Sequence, residues 1–229
     1  MNLKTVLRIG GLLLMALPLS ALADGAAIVA KQCASCHALQ ASDASTSPVS
    51  ERGKRTAPPL HYAGNKFRAD WLNAWLQKPE RLRPAGYFPP AHVKVTAEGD
   101  VIDADTLPAH VALSADEAKQ VTDYLMSLRS RDDLVAKDSY QPGPISARMG
   151  AMDFRKFKGC NSCHQDVVGE GGSSGPVLYN AWQRLQPAFL SSYIKDPTAW
   201  DPHTLMPVQE MNEGAVHKLV NYLNVIGEQ

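Results

Sequence analysis

The chain has 229 residues, with 23 Lys and Arg against 23 Asp and Glu, 45% apolar content and only four cysteines. That composition excludes a disordered, collagenous or disulfide-dense chain and leaves room for one large domain or two small ones. A formal charge of zero removes the electrostatic case for nucleic acid, which binds through an excess of Lys and Arg over phosphate.

The N-terminus carries Lys4 and Arg8, then an apolar run from Ile9 to Leu19, then Ala21-Leu22-Ala23 ahead of Asp24. This is the three-part pattern of a secretory signal over residues 1–23, with the mature chain starting at Asp24. The run is too short to cross a bilayer core, which needs about 20 apolar residues, and no later stretch is longer. The expectation is a soluble exported protein, periplasmic in a host with two membranes, with no transmembrane segment in the mature chain.

A helix from Asp24 to His37 ends on Cys33-Ala34-Ser35-Cys36-His37, and a second helix, from about Pro144, ends on Cys160-Asn161-Ser162-Cys163-His164. Export alone would suggest disulfides. The His after each pair argues otherwise, because Cys-x-x-Cys-His is the pattern of covalent c-type haem attachment. Each pair of thiols then forms thioethers to the porphyrin, and His37 or His164 becomes the proximal iron ligand. A zinc site would require pairs closer in sequence than Cys33 and Cys160.

Between the motifs, Leu39 to Thr56 reads as a polar surface loop, with Glu51-Arg52-Gly53-Lys54-Arg55 a candidate docking patch for an acidic partner. A Pro-containing loop, Ala57-Pro58-Pro59-Leu60, leads to an amphipathic helix ending at Pro79. Trp71 and Trp75 share one face of that helix and are expected to pack against the first haem. The stretch after Pro79 includes Val93-Lys94-Val95-Thr96 and Gly99-Asp100-Val101-Ile102, which alternate like a small hairpin. Ser114-Ala115-Asp116-Glu117 is a capping box opening a helix that bears Tyr124-Leu125. Residues 131–143 read as a linker. In the second half Asn212 caps a closing helix bearing Tyr222-Leu223.

The chain repeats itself. Ala57–Pro89 aligns without gaps onto Gly175–Pro207, with identities at Pro58/Pro176, Leu60/Leu178, Ala63/Ala181, Leu72/Leu190, Pro79/Pro197, Pro84/Pro202 and Pro89/Pro207. Trp71/Phe189, Trp75/Tyr193 and Lys66/Arg184 preserve size or charge. With the attachment motifs, the Pro-Leu loops and the Tyr-Leu helices in the same order, each half resembles a class I c-type cytochrome, and the chain resembles the dihaem cytochromes c. The resemblance implies an all-α fold of two tandem cytochrome c domains, 24–130 and 144–229, with a small hairpin-like insert in the first. It also implies two covalently bound haem c groups and electron transfer between redox protein partners.

The halves differ at the sixth iron position. Met206, in Asp201-Pro202-His203-Thr204-Leu205-Met206-Pro207, matches the family's Met-Pro ligand loop and is the expected ligand of the second haem. In the first half Phe88-Pro89 aligns with Met206-Pro207, and counting back from Tyr124 gives Leu107-Pro108; neither can bind iron. His92 and His110 lie in matching Pro-Ala-His-Val contexts, and either could make the first haem bis-His. His92 is slightly preferred, because it follows the loop that corresponds to the Met206 loop, with His110 and a five-coordinate iron as the alternatives. A thioether raises the reduction potential, so electrons should run from the first haem to the second. All four cysteines are consumed by attachment. The sequence therefore favours an electron carrier over a stand-alone enzyme. The alternative is a haem-containing oxidoreductase, or the electron-accepting subunit of a dehydrogenase complex, with the first haem catalytic.

Overall fold

The computed structural model describes residues 19–41 and 53–228. Most of the expected signal peptide, and Glu51 and Arg52 of the candidate docking patch, lie outside the described residues. Helix α1, Leu19–Gln32, spans the expected cleavage point. A loop through Pro58 leads to the short α2, Ala63–Lys66, and to α3, Ala69–Gln77, which buries Leu72 and Leu76. The insert is a hairpin, β1 Val93–Thr96 against β2 Gly99–Ile102, paired antiparallel with Thr96 opposite Gly99. Helix α4, Ala115–Ser127, opens on the expected capping box, with the Glu117 N–H donating to the Ser114 hydroxyl and the Ser114 N–H to the Glu117 carboxylate. It buries Ala118, Val121 and Leu125.

The expected linker is not featureless. It carries α5, Asp132–Val135, and Asn65 donates from its side chain to the Asp132 carboxylate at 2.7 Å, fastening the segment to the first half. The long helix expected from Pro144 to His164 is broken. Helix α6, Ala147–Met152, runs into one π turn, Asp153–Phe157. Gly159 then adopts the left-handed region at φ 63°, where a side chain would be strained, and the chain turns into a 3-10 segment, Cys160–Ser162. A second small hairpin, β3 Gln165–Val167 with β4 Glu170–Gly171, has no counterpart in the sequence reading. The short α7, Ala181–Arg184, α8, Pro187–Lys195, and α9, Pro197–Trp200, follow, and α10, Glu213–Gly227, closes the chain with Asn212 accepting from the Ala215 N–H.

Close helix crossings fix both halves. A Cβ on Gly25 of α1 would run into the Gln120 carbonyl of α4, and one on Gly150 of α6 would run into the Tyr222 ring of α10. Gly25→Ala should therefore cost about 1–3 kcal/mol by overpacking, read as a lower midpoint in denaturant unfolding of the holoprotein. An unchanged midpoint would show that the helices can separate at no cost. Behind the second motif, the buried Asp166 of β3 accepts from Tyr222 Oη at 2.5 Å and from Arg155 Nε at 2.9 Å, tying α10 to the π turn.

The two halves meet along a seam built from equivalent positions of the repeat. Phe67 pairs with Leu185 in an isolated antiparallel bridge, the Arg68 N–H donates to the Arg184 carbonyl at 3.0 Å, and the Gln186 N–H donates to the Lys66 carbonyl at 2.9 Å. The apolar core crosses this seam without interruption. Leu60, Tyr62, Leu72, Val121 and Leu125 of the first half join Leu185, Phe189, Trp200, Val216 and Val220 of the second. Trp200 lies 5.3 Å from the Tyr62 ring and 4.8 Å from Phe189, with its indole N–H donated to Ser192. A second, smaller cluster of Phe154, Leu219 and Tyr222 sits behind the second motif.

Candidate functional site

Both pentapeptides fold the same way although different structures precede them. Leaving α1, the Cys36 and His37 amides donate to the Cys33 carbonyl at 3.1 and 3.0 Å; after Gly159, the Cys163 and His164 amides donate to the Cys160 carbonyl at 3.2 and 3.0 Å. This tight turn puts both thiols and the imidazole of each motif on one local platform. His37 Nδ1 lies 2.7 Å from the Pro58 carbonyl, and His164 Nδ1 lies 2.7 Å from the Pro176 carbonyl, Pro58 and Pro176 being equivalent in the repeat. A carbonyl only accepts, so each Nδ1 carries the proton and each Nε2 keeps its lone pair. That is the tautomer and second-shell support a metal-ligating histidine needs. Burial lowers the pKa of both rings, keeping them neutral, while the hydrogen bond to the proline carbonyl partly opposes it.

The carbonyls are themselves held in place. The Leu60 amide donates to the Ala38 carbonyl, the Gly175 amide donates to the Cys163 carbonyl, and the Val177 amide donates across the seam to the Leu82 carbonyl. Gly175 must be small, since a Cβ there would meet the His164 ring at 2.6 Å. The two cysteine pairs stay apart: among the described residues no group of three or more His, Cys, Asp or Glu could hold a metal ion between them.

The sixth-position candidates fall in different places. His92 ends a 3-10 segment, Pro89–His92, at the root of the insert. Its Nδ1 is 2.9 Å from the Thr106 hydroxyl, and its ring lies against Gly86, where an added Cβ would be 2.9 Å from Nε2. His92 is thus seated at the root of the insert, with Nδ1 against Thr106. The ring facing His37 is that of His110, with centroids 6.3 Å apart. Of the two histidines expected as candidates for the first haem, His92 stands at the root of the insert and His110 is the one whose ring contacts that of His37. Met206 is half-buried, its amide donating to the Thr204 hydroxyl at 3.2 Å, while Thr204 also meets Tyr193 Oη at 2.9 Å. Trp71 and Trp75 stack at 5.6 Å, and Trp75 contacts His110 edge to face at 4.5 Å.

Sequence reasoning missed the polar joint between the halves. Arg55, expected on a surface patch, turns inward, and its Nη1 contacts the Asp201 carboxylate at 2.7 and 3.0 Å. Tyr87 Oη and the His203 amide also donate to Asp201, at 2.9 and 3.0 Å. Burial pushes the Asp201 carboxyl up, but these donors outweigh it and hold it below the usual carboxylate range. Nothing local in sequence links positions this far apart. Beside this joint a cavity of about 280 Å³ is lined by Cys36, His37, Arg55, Ala57 and His203. His203 is 5% exposed, and its Nδ1 has no partner among the described residues.

Three further cations gather here. Burial, with repulsion from Arg83 and Arg184, pushes the Lys66 ammonium down to about 7, and burial with Arg83 pushes Arg184 down to about 10. Lys66 and Arg184 are equivalent positions of the repeat. An enclosed excess of positive charge and an orphaned imidazole nitrogen, next to paired thiols and a lone-pair Nε2, suit a flat apolar group that carries carboxylates. Haem has that chemistry.

Compared with known protein families, residues 22–129 match the family model Cytochrome c. That stretch is thus a cytochrome c domain, a haem-based electron-transfer module, and the match implies covalently bound haem c. Neither the curated proteins nor the solved structures contain a match. Among the described residues no helix is long and apolar enough to cross a membrane.

Proposed function

We propose that the chain is an exported dihaem c-type cytochrome that passes electrons between redox protein partners, with a signal peptide at 1–23, cytochrome domains at 24–130 and 144–229, and a linker at 131–143. The observation that carries this reading is the duplicated histidine support, in which His37 and His164 each give Nδ1–H to a proline carbonyl at 2.7 Å and keep Nε2 for iron. The family match covers the first half only, and the repeated geometry extends the reading to the second.

In this reading Cys33 and Cys36 attach the first haem, with His37 as proximal ligand, and Cys160 and Cys163 attach the second, with His164 proximal and Met206 in the sixth position. When bound, each haem supplies an iron that alternates between ferric and ferrous states. The chain's own groups do the rest. The proline carbonyls fix the two imidazoles, Lys66, Arg83 and Arg184 offset the porphyrin carboxylates, and the shared core holds the two sites at a constant separation. The Met206 thioether favours ferrous iron and places the second haem at the higher potential.

The test is a haem count and a redox titration of protein made with c-type maturation machinery. Two covalent haems per chain and two separate midpoints are expected. One haem per chain would overturn the dihaem assignment, and two equal midpoints would overturn the order of transfer.

A further inference from the structure

The geometry points to His110 as the sixth ligand of the first haem, making that iron bis-histidine; the inference rests on the dihaem reading and adds the coordination that decides between carrier and catalyst. Two imidazoles bound to one metal, each at about 2 Å through a ring nitrogen, hold their centroids about 6 Å apart with the metal between them. His37 and His110 stand at 6.3 Å, with ring planes turned 67° from each other.

The protonation pattern agrees with the spacing. His110 Nδ1 lies 2.8 Å from the Val111 carbonyl, so it carries the proton and leaves the Nε2 lone pair available, as the Pro58 carbonyl does for His37. Both rings are thus in the tautomer that can bind iron through Nε2. His92 is seated elsewhere, at the root of the insert with Nδ1 against the Thr106 hydroxyl.

His110 is also held by rigid elements. Three residues on, the Leu113 amide donates to the Leu76 carbonyl at the end of α3, at 2.9 Å, and the Leu113 side chain is buried in the core. The next residue, Ser114, is the cap of α4. Trp75 of α3 supports the ring from the side. The segment carrying His110 is therefore tied to α3 and α4. With His37 and His110 both holding it, a haem bound here would have no open position for a substrate and would serve to carry electrons.

The experiment compares full-length holoprotein with three variants, with haem counted in each sample. Low-temperature paramagnetic resonance of the oxidised wild type should show two low-spin irons, one bis-histidine and one histidine-methionine, with no ferrous carbon monoxide binding. His110→Ala should retain two haems and open one iron, so that half of the ferrous haem binds carbon monoxide. His110→Met should instead keep both irons six-coordinate and double the near-infrared sulfur-to-iron band. It serves as the readout if the alanine variant folds poorly. His92→Ala should leave both irons as in the wild type. Carbon monoxide binding by the wild type, an unchanged spectrum in both His110 variants, or an opened iron in His92→Ala would each overturn the assignment while leaving the dihaem reading intact. A wild-type count of one haem or none would overturn the dihaem reading itself.

Discussion

Asp201→Ala should destabilise the folded chain by about 3–5 kcal/mol, the cost of leaving one partner of a buried ion pair alone. The Asp201 carboxylate is 3% exposed and its partner Arg55 17%, so water cannot replace the lost contact. Tyr87 Oη and the His203 amide lose their acceptor in the same variant. The pH dependence has a definite sign. The folded carboxyl titrates below its ordinary value, so the contribution is fully present above the unfolded carboxylate pKa of about 3.9 and is lost as pH falls through the lower folded value. Denaturant unfolding of the holoprotein between neutral pH and about pH 3 checks both points. The wild type should lose stability on the acid side, and the variant should start lower and show a flatter acid limb. Equal stability at neutral pH would mean that the joint contributes nothing.

The double variant Cys160→Ala, Cys163→Ala should halve the covalent haem per chain and loosen the second half selectively. Among the described residues the separate buried cluster behind that motif is small, Phe154, Leu219 and Tyr222, so a haem bound there would add substantially to the local core. Its loss compares with exposing two or three large apolar side chains, about 3–9 kcal/mol at about 1.5–3 kcal/mol each. The first half keeps Val29, Leu72, Val121 and Leu125 in the larger core and should retain its absorbance. Haem quantification with limited proteolysis reads the result, the expected cuts falling between residues 144 and 180. A variant that kept both haems would remove Cys160 and Cys163 from the attachment chemistry.

Local chemistry made much of this structure readable in the sequence. The capping box at Ser114, the Asn212 cap and the hairpin alternation between Val93 and Ile102 are short-range patterns, and each element stands where its pattern put it. The break before the second motif escaped, because the left-handed Gly159 is one residue in a stretch whose apolar spacing still looks helical. The Arg55–Asp201 pair escaped for another reason: no local rule joins a loop of one half to the Met206 loop of the other. The preference for His92 rests on an ungapped alignment, whereas the ring in contact with His37 is that of His110. A physical signal was present, since His110 stands just ahead of Leu113 and the Ser114 cap, and counting from that fixed helix start places it beside α3.

The seam at Phe67 and Leu185 has a consequence for how this chain can change. Phe67 touches its own counterpart Leu185 and the flanking bonds exchange about them, the self-complementary arrangement of two copies meeting about a two-fold axis, here threaded on a single polypeptide. A substitution at one member alters the surface that the other was fitted to, so tolerated drift on the two sides has to occur in step. The Phe88 and Met206 loops lie outside that pairing, and a change in one of them does not have to be matched in the other.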